Sequence, residues 1–315
     1  MPSPPVDVVY TWVDDAWPGY LDLLRQHATS RHDLNPNRTR DNLQVLKYSL
    51  RSLDRHAPWV RHVYLVTCRP QVPDWVNRSA VRVVHHDEFI PAPYLPTFNS
   101  FAIVANLYRL SDLAERFVYV EDDRLFGRDV AVDDFWDAQG RTRVYEAWRG
   151  TPGAEHQHAR DTSGWNLALA HSNALLDARF GRRRRGQVKF APLAIDRGRW
   201  TEMVAAWPDD FEHTSASRFR AAGNVAPEHL YPHLLLESRA GVRVERPTQL
   251  RHAWYHAINN VTLLQRLGFA RLRWGAPKFA CLNDNFGQRP NMTAVEVVKR
   301  ALQAWFPVPS RFEVS

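Results

Sequence analysis

Between residues 6 and 123 the chain alternates short continuous apolar runs with apolar positions spaced three or four apart. Val6-Asp-Val-Val-Tyr-Thr-Trp-Val13 is rich in β-branched and aromatic side chains, which predicts a strand running out into Asp14-Asp15. Leu43, Leu46, Leu50 and Leu53 share one face at the helical repeat, so a helix with a buried stripe is expected there. Val63–Thr67 and Val81–Val84 fit central strands, and Ser100 is placed to cap a helix from Phe101 to Leu113. Phe117–Val120 reads as a further strand, ending in Glu121-Asp122-Asp123. Strands alternating with helices predict an α/β fold with a mostly parallel sheet covered on both faces. Ligands of such sheets bind beyond the carboxyl ends of the strands. Polar and acidic residues follow two of those ends here.

The second half is more helical. Trp165–Phe180 carries Leu167, Ala170, Ala174 and Leu175 on one stripe, with Gly181 as its C-cap. Asp196–Trp207 is a second amphipathic stretch, stopped by Pro208. Thr293-Ala-Val-Glu296 has capping-box spacing and opens a helix through Trp305. The loop from Gly150 to Ser163 is the candidate seam, which predicts an α/β lobe over 1–150 and a helical lobe over 151–315 sharing one cleft.

Composition narrows the class. With 315 residues, 44% hydrophobic and 24% charged, the chain is globular in kind, which excludes a disordered or collagen-like protein. The formal charge of +7 is carried almost wholly by arginine, since the lysines are only Lys47, Lys189, Lys278 and Lys299. Arginine suits bidentate phosphate binding, so a phosphate-bearing ligand is favoured. No zinc-finger spacing, RNP-like strand or basic heptad helix is present, and no nucleic-acid partner is expected. Arg182–Arg185 reads as a solvated loop, and Cys68 and Cys281 as buried thiols of a reducing compartment. No apolar run approaches the roughly 20 residues of a membrane span. Met1–Pro5 has neither a basic nor an apolar leader region, so a cytoplasmic location is expected.

The sharpest local chemistry is Glu121-Asp122-Asp123. Adjacent carboxylates at a strand end either hold a hard divalent cation that neutralises a diphosphate, or form a solvated turn or helix cap. Neighbours on an extended chain point to opposite faces, so His85-His86-Asp87-Glu88 reads as a loop rather than a chelate. Lys47, Arg51 and Arg55 share one helical face, an ordinary solvated arrangement. There is no glycine-rich phosphate loop, nucleophile elbow or HExxH motif.

Several segments together resemble the stealth family. Val8-Val-Tyr-Thr-Trp-Val-Asp14 is similar to its first characteristic region. Leu46–Leu53, Ala57–Arg61, Gln71–Trp75 and Leu95–Ser100 through Glu121–Asp123 resemble the second. Phe211–Arg220 with Leu230–His233 resembles the third, and Cys281–Asn285 with Phe306–Glu313 the fourth. The family includes bacterial capsular polysaccharide phosphotransferases and the catalytic subunit of the lysosomal-enzyme N-acetylglucosamine-1-phosphotransferase. The resemblance implies a GT-A-like nucleotide-sugar fold and transfer of a sugar-1-phosphate from a UDP-sugar to a glycan hydroxyl, with release of UMP, in surface-polysaccharide synthesis. It implies Asp122 and Asp123 as ligands of a divalent cation (magnesium or manganese), and Thr11 and Asp14 near the nucleotide. It turns Arg51 into a phosphate contact, and sets Thr97, Asn99 and Ser100 along the donor pocket. Arg220 becomes the group facing transition-state charge, while Asn283 and Asp284 close the site from the second lobe. The basic surface adds a loose, salt-sensitive attachment to membrane or anionic glycan.

The chain departs from the family pattern at several positions. Phe190, in Val188-Lys-Phe-Ala-Pro192, stands where the family has a histidine that is a candidate general base, and phenylalanine accepts no proton. His233 is then either the base or a phosphate ligand, or a core histidine at a helix start. Glu121 replaces a common Asn, Val45 a frequent Glu, and Asn224 a frequent Asp. Two other readings stay open: a glycosyltransferase that releases UDP, and a catalytically silent nucleotide-sugar-binding protein.

Overall fold

A computed structural model of the chain describes residues 4–28, 43–159, 162–287 and 289–314. The strands are β1 (Val6–Thr11), β2 (Val63–Thr67), β3 (Val81–His85), β4 (Arg116–Glu121), β5 (Arg124–Phe126) and β6 (Thr142–Val144). They continue with β7 (Glu146–Gly150), β8 (Gly186–Val188), β9 (Leu193–Asp196), β10 (Gly241–Arg243), β11 (Ala253–Ile258) and β12 (Phe279–Asp284). The helices are α1 (Tyr20–His27), α2 (Val45–His56), α3 (Ser100–Asn106), α4 (Gly164–Phe180) and α5 (Arg197–Ala206). After them come α6 (Pro208–Ala216), α7 (Pro227–Glu237), α8 (Arg246–His252), α9 (Thr262–Gly275) and α10 (Met292–Trp305).

The expected α/β fold with a mostly parallel central sheet is present. Its order is β3-β2-β1-β4-β9, with β1, β2, β3 and β4 parallel and β9 antiparallel at one edge. The chain winds outward from β1 to β3, then returns to β4 on the other side of β1. The order therefore reverses between β1 and β4, and the crevice beyond their carboxyl ends is where such sheets take ligands. Thr11 and Glu121 are register partners at that point.

Side-chain alternation builds a core on each face of the sheet. On one face Val6, Val8, Tyr10, Val118 and Val120 pack with Leu46, Leu50 and Leu53 of α2. On the other, Val9, Phe117 and Tyr119 pack with Ile103, Trp200, Leu230 and Tyr231. A third core joins Ala280 and Leu282 of β12 to Phe269, Leu272, Val295, Val298 and Leu302 of α9 and α10. Strands from the 151–315 half complete sheets begun by the 1–150 half, since β9 pairs with β4, β10 with β6 and β12 with β5.

Local expectations are corrected in four places. Asn99 rather than Ser100 caps α3, its Oδ1 accepting from the Phe101 amide at 3.1 Å. That helix ends at Asn106, short of Leu113, where the Asn106 side chain donates to the Ala102 carbonyl and so competes with continued helix. Asn291 caps α10 ahead of Thr293, because an Asn two residues upstream already satisfies the Thr293 amide. Arg185 is not solvated: it is buried, 2.5 Å from Asp177 and 3.6 Å from Glu237. Both cysteines are free thiols, Cys281 buried and Cys68 half-buried. The expectation that Met1–Pro5 carries no leader region falls largely outside the described residues, since residues 1–3 are not among them. Among those residues no helix is long and apolar enough to cross a membrane.

Candidate active site at the carboxyl end of the central sheet

The reversal point carries the acidic run. Thr11 Oγ1 lies 3.0 Å from the Tyr119 hydroxyl, so the ends of β1 and β4 are tied by side chains as well as by the ladder. Beyond Glu121 the chain turns through Asp122 and Asp123 into β5. β12 runs antiparallel to β5, with Cys281 opposite Arg124 and the Leu282 amide donating to the Asp123 carbonyl at 2.9 Å. Asn283 and Asp284 end that strand, so the pairing carries them alongside the acidic turn. Burial raises the Asp284 carboxyl, while the Phe286 amide that it accepts at 2.8 Å favours the charged form.

Arg124, which sequence reading passed over, is the hub. Its buried guanidinium donates to Glu121, to Asp123 and, at 2.7 Å, to Cys281 Sγ. Burial alone would depress its pKa, but the surrounding Asp123, Cys281 and Glu121 raise it, so it is a permanent cation. Burial pushes Asp123 up to about 6 against the opposing pull of Arg124. The signal was in the sequence: an arginine directly after three acids.

Asp122 and Asp123 offer carboxylate oxygens, the donor type a hard divalent cation takes. Among the described residues no group of three His, Cys, Asp or Glu is arranged to hold a metal ion. Two carboxylates fit magnesium or manganese only when substrate phosphates supply further oxygens, which is common for magnesium.

Beside the hub lies a cavity of about 60 Å³. Its walls include Glu121, Arg124, Lys189, Phe190, Glu228 and His229. Phe190 thus stands in the site, its ring facing Arg124 with the guanidinium carbon 5.2 Å from the centroid. Arg220 lies next to the Trp165 wall, 5.4 Å from that ring and 4.7 Å from Phe101, and donates to Ser100 Oγ at 2.6 Å. Gly164 permits the approach, since a Cβ there would stand 2.9 Å from Arg220 Cβ.

Other expected residues are engaged elsewhere. Arg51, expected as a phosphate contact, is buried and holds Glu313 with two bonds of 2.8 and 2.7 Å, and the Phe306 carbonyl at 2.9 Å. Asn99, expected along the donor pocket, turns its side chain to protein partners. Its amide is fully buried and reaches Asn224 Oδ1 at 2.9 Å and the Ser217 carbonyl at 3.1 Å, fixing α3 to the loop before α7. Thr97 is buried and accepts from the Asn99 amide at 3.2 Å. Asp14 shapes the turn after β1, with Oδ1 accepting from the Ala16 amide at 2.9 Å and its own amide donating to Gln71.

His233 is a core histidine. Its Nε2 lies 3.0 Å from the Gly186 carbonyl and so carries the proton, and burial pushes its pKa down to about 4. It is not among the cavity walls. Glu228, missed in the sequence, occupies the first turn of α7, where an acid ordinarily just favours the helix dipole. No sequence signal marks it.

Three family descriptions match the chain: Stealth protein conserved region 2 at residues 38–144, conserved region 3 at 191–237 and conserved region 4 at 270–315. Phe190 lies one position before the second of these. The chain is 34% identical over 318 residues to the exopolysaccharide phosphotransferase SCO6023 of Streptomyces coelicolor, covering 98% of this chain and 52% of that protein. It is 28% identical over 316 residues to the exopolysaccharide phosphotransferase CpsY of Mycobacterium tuberculosis, covering 98% and 58%. The chain therefore spans about half the length of these relatives. Among solved structures, the galactosyltransferase LgtC overlaps with a TM-score of 0.39 at 10% identity, covering 96% of this chain and 97% of that one. The glycosyltransferase GlyE of Streptococcus pneumoniae TIGR4 gives 0.39 at 11%, covering 98% and 66%.

Proposed function

The chain belongs to the stealth family, and on that premise we propose that it transfers a sugar-1-phosphate from a UDP-sugar to a glycan hydroxyl in surface-polysaccharide synthesis. The exopolysaccharide phosphotransferase names of its relatives support the reaction class. The observation that carries the reading is the meeting of Thr11, the Glu121–Asp123 turn and Arg124 at the reversal point of the sheet. A GT-A-like donor site is the natural reading of that crevice.

In this reading the diphosphate lies over the acidic turn, with Thr11 at the nucleotide side. Asp122 and Asp123 would hold a divalent cation, which supplies neutralisation of the diphosphate when bound. Arg124 holds the Glu121 and Asp123 carboxylates in place. Arg220, braced by Ser100 and the two aromatic faces, sets a fixed charge against the phosphoryl oxygens as negative charge shifts toward the leaving group. Asn283 and Asp284 border the acceptor side. The acceptor oxygen bonds to the β-phosphorus, the bond from that phosphorus to the bridging oxygen breaks, and UMP leaves.

Phosphorus NMR of the protein with UDP-N-acetylglucosamine, other UDP-sugars, magnesium or manganese and a glycan acceptor tests this. UMP with a new phosphodiester resonance is expected, together with loss of at least about 100-fold for Arg220→Met. UDP as the nucleotide product indicates transfer of the sugar alone. Donor binding without release of either nucleotide indicates a silent binding protein.

A further inference from the structure

With Phe190 in the histidine's place, the transfer needs another group to receive the acceptor's proton. The cavity wall offers two untapped polar groups. Glu228 Oε2 is buried and, among the described residues, has no hydrogen-bond partner. His229 Nδ1 is likewise buried without a partner, while its Nε2 lies 2.9 Å from Asn173 Oδ1. Both residues border the space that Phe190, Glu121 and Arg124 enclose.

Basicity decides between them. Burial, with His233 and Arg185 adding to it, holds the His229 imidazole well below its usual range, so it is a poor proton acceptor at neutral pH. Burial lifts Glu228 to about 7, helped by Glu121 and opposed by its own backbone amide, Arg220 and Arg124. A base is most effective when its pKa lies near the working pH. The charged and titratable groups around Glu228 are Glu121 from β4, Arg124 from β5, Arg220 from the loop before α7, and His229 beside it. Tyr119, Arg143 and Lys189 stand on the remaining walls.

We propose that Glu228 is the catalytic base of the sugar-1-phosphate transfer, its carboxylate receiving the proton of the acceptor hydroxyl within the cavity that Phe190 lines. As the acceptor oxygen bonds to the β-phosphorus, its proton passes to Glu228 and the electron pair of the broken phosphorus–oxygen bond leaves with UMP. Solvent then takes the proton from the Glu228 carboxyl. This assignment rests on the transfer reading above.

The test compares the wild-type chain with Glu228→Gln, Glu228→Asp and the double variant Glu228→Gln/Phe190→His. The readouts are UMP release across pH 5 to 9 and calorimetric UDP-sugar binding. Expected for Glu228→Gln is a fall in kcat of at least about 100-fold, donor affinity within about threefold, and loss of the activity rise through neutral pH. Glu228→Asp keeps that rise at lower kcat. The double variant recovers at least about tenfold, because an imidazole then borders the same space. If wild type releases UMP and Glu228→Gln matches it in kcat and pH profile, the Glu228 assignment falls and the transfer reading stands. Wild-type release of UDP, or of no nucleotide, overturns the transfer reading and the assignment with it. Donor binding by Glu228→Gln shows that the variant is folded.

Discussion

The Phe190 ring faces the Arg124 guanidinium at 5.2 Å, and Tyr255 of β11 packs on that ring with 5.6 Å between centroids. An aromatic side chain therefore covers the cation that holds Glu121 and Asp123. Such a contact is worth about 0.5–2 kcal/mol, the larger figure where water is excluded. Phe190→Leu keeps bulk but removes the ring, and turnover is expected to fall about tenfold, equivalent to roughly 1.4 kcal/mol. Steady-state kinetics with an unchanged melting temperature supports that role. Unaltered turnover means the ring does not steady Arg124.

Arg51 and Glu313 link α2 to the C-terminal segment, and both side chains are buried. Removing one partner of a buried pair leaves the other charge stranded, at about 3–5 kcal/mol. Arg51→Met is expected to lose that much in urea unfolding, while UDP-sugar affinity of the folded variant stays within about twofold. A selective loss of donor affinity would instead make Arg51 a phosphate contact.

Glu313 also sets an acid limit. Burial raises its carboxyl, but the Arg51 bond and the Ser310 contacts outweigh this and leave it below the usual range. A depressed carboxyl contributes stability above its unfolded pKa of about 4.3, lost as pH falls through the folded value. Urea midpoints from about pH 7 down to about pH 3 are expected to drop more steeply for wild type than for Glu313→Gln. Parallel curves would contradict this.

Glu228 has the opposite sign. Its raised carboxyl binds a proton more tightly folded than unfolded, so it lowers stability as pH rises from about 4.3 through 7. Glu228→Gln is expected to be more stable than wild type at pH 8, by an amount of order 1–3 kcal/mol, and to show no gain at pH 4. Stability gained where activity is lost is common at active sites. Equal stability at both pH values would mean the carboxyl is well solvated.

Asn99 is fully buried and ties the start of α3 to the loop that carries Arg220. Asn99→Ala removes the donor to Asn224 Oδ1 and the Ser217 carbonyl and is expected to cost about 1–3 kcal/mol in chemical denaturation. A loss below about 0.5 kcal/mol would show that the loop holds without it.

The periodic part of the fold was legible because its cause is local. The runs at Val6–Thr11, Val63–Thr67 and Phe117–Val120 are strands buried on both faces, and the acids after Phe117–Val120 fall where the sheet order reverses. Long-range pairing was hidden. Nothing near Arg51 announces Glu313, and nothing near Asn99 announces Asn224, so both polar residues looked available for ligand. Glu228 was invisible for the converse reason: a first-turn acid looks ordinary until the fold buries its oxygen beside Arg124 and Phe190.

Tracing the β-phosphorus of the donor tests the central claim most directly. A UDP-sugar labelled only at that phosphorus is incubated with the protein, a divalent cation and glycan acceptor, and the label is followed into product. The label is expected in the glycan as a phosphodiester, with unlabelled UMP released. Label retained in UDP, with unlabelled sugar on the glycan, would contradict sugar-1-phosphate transfer.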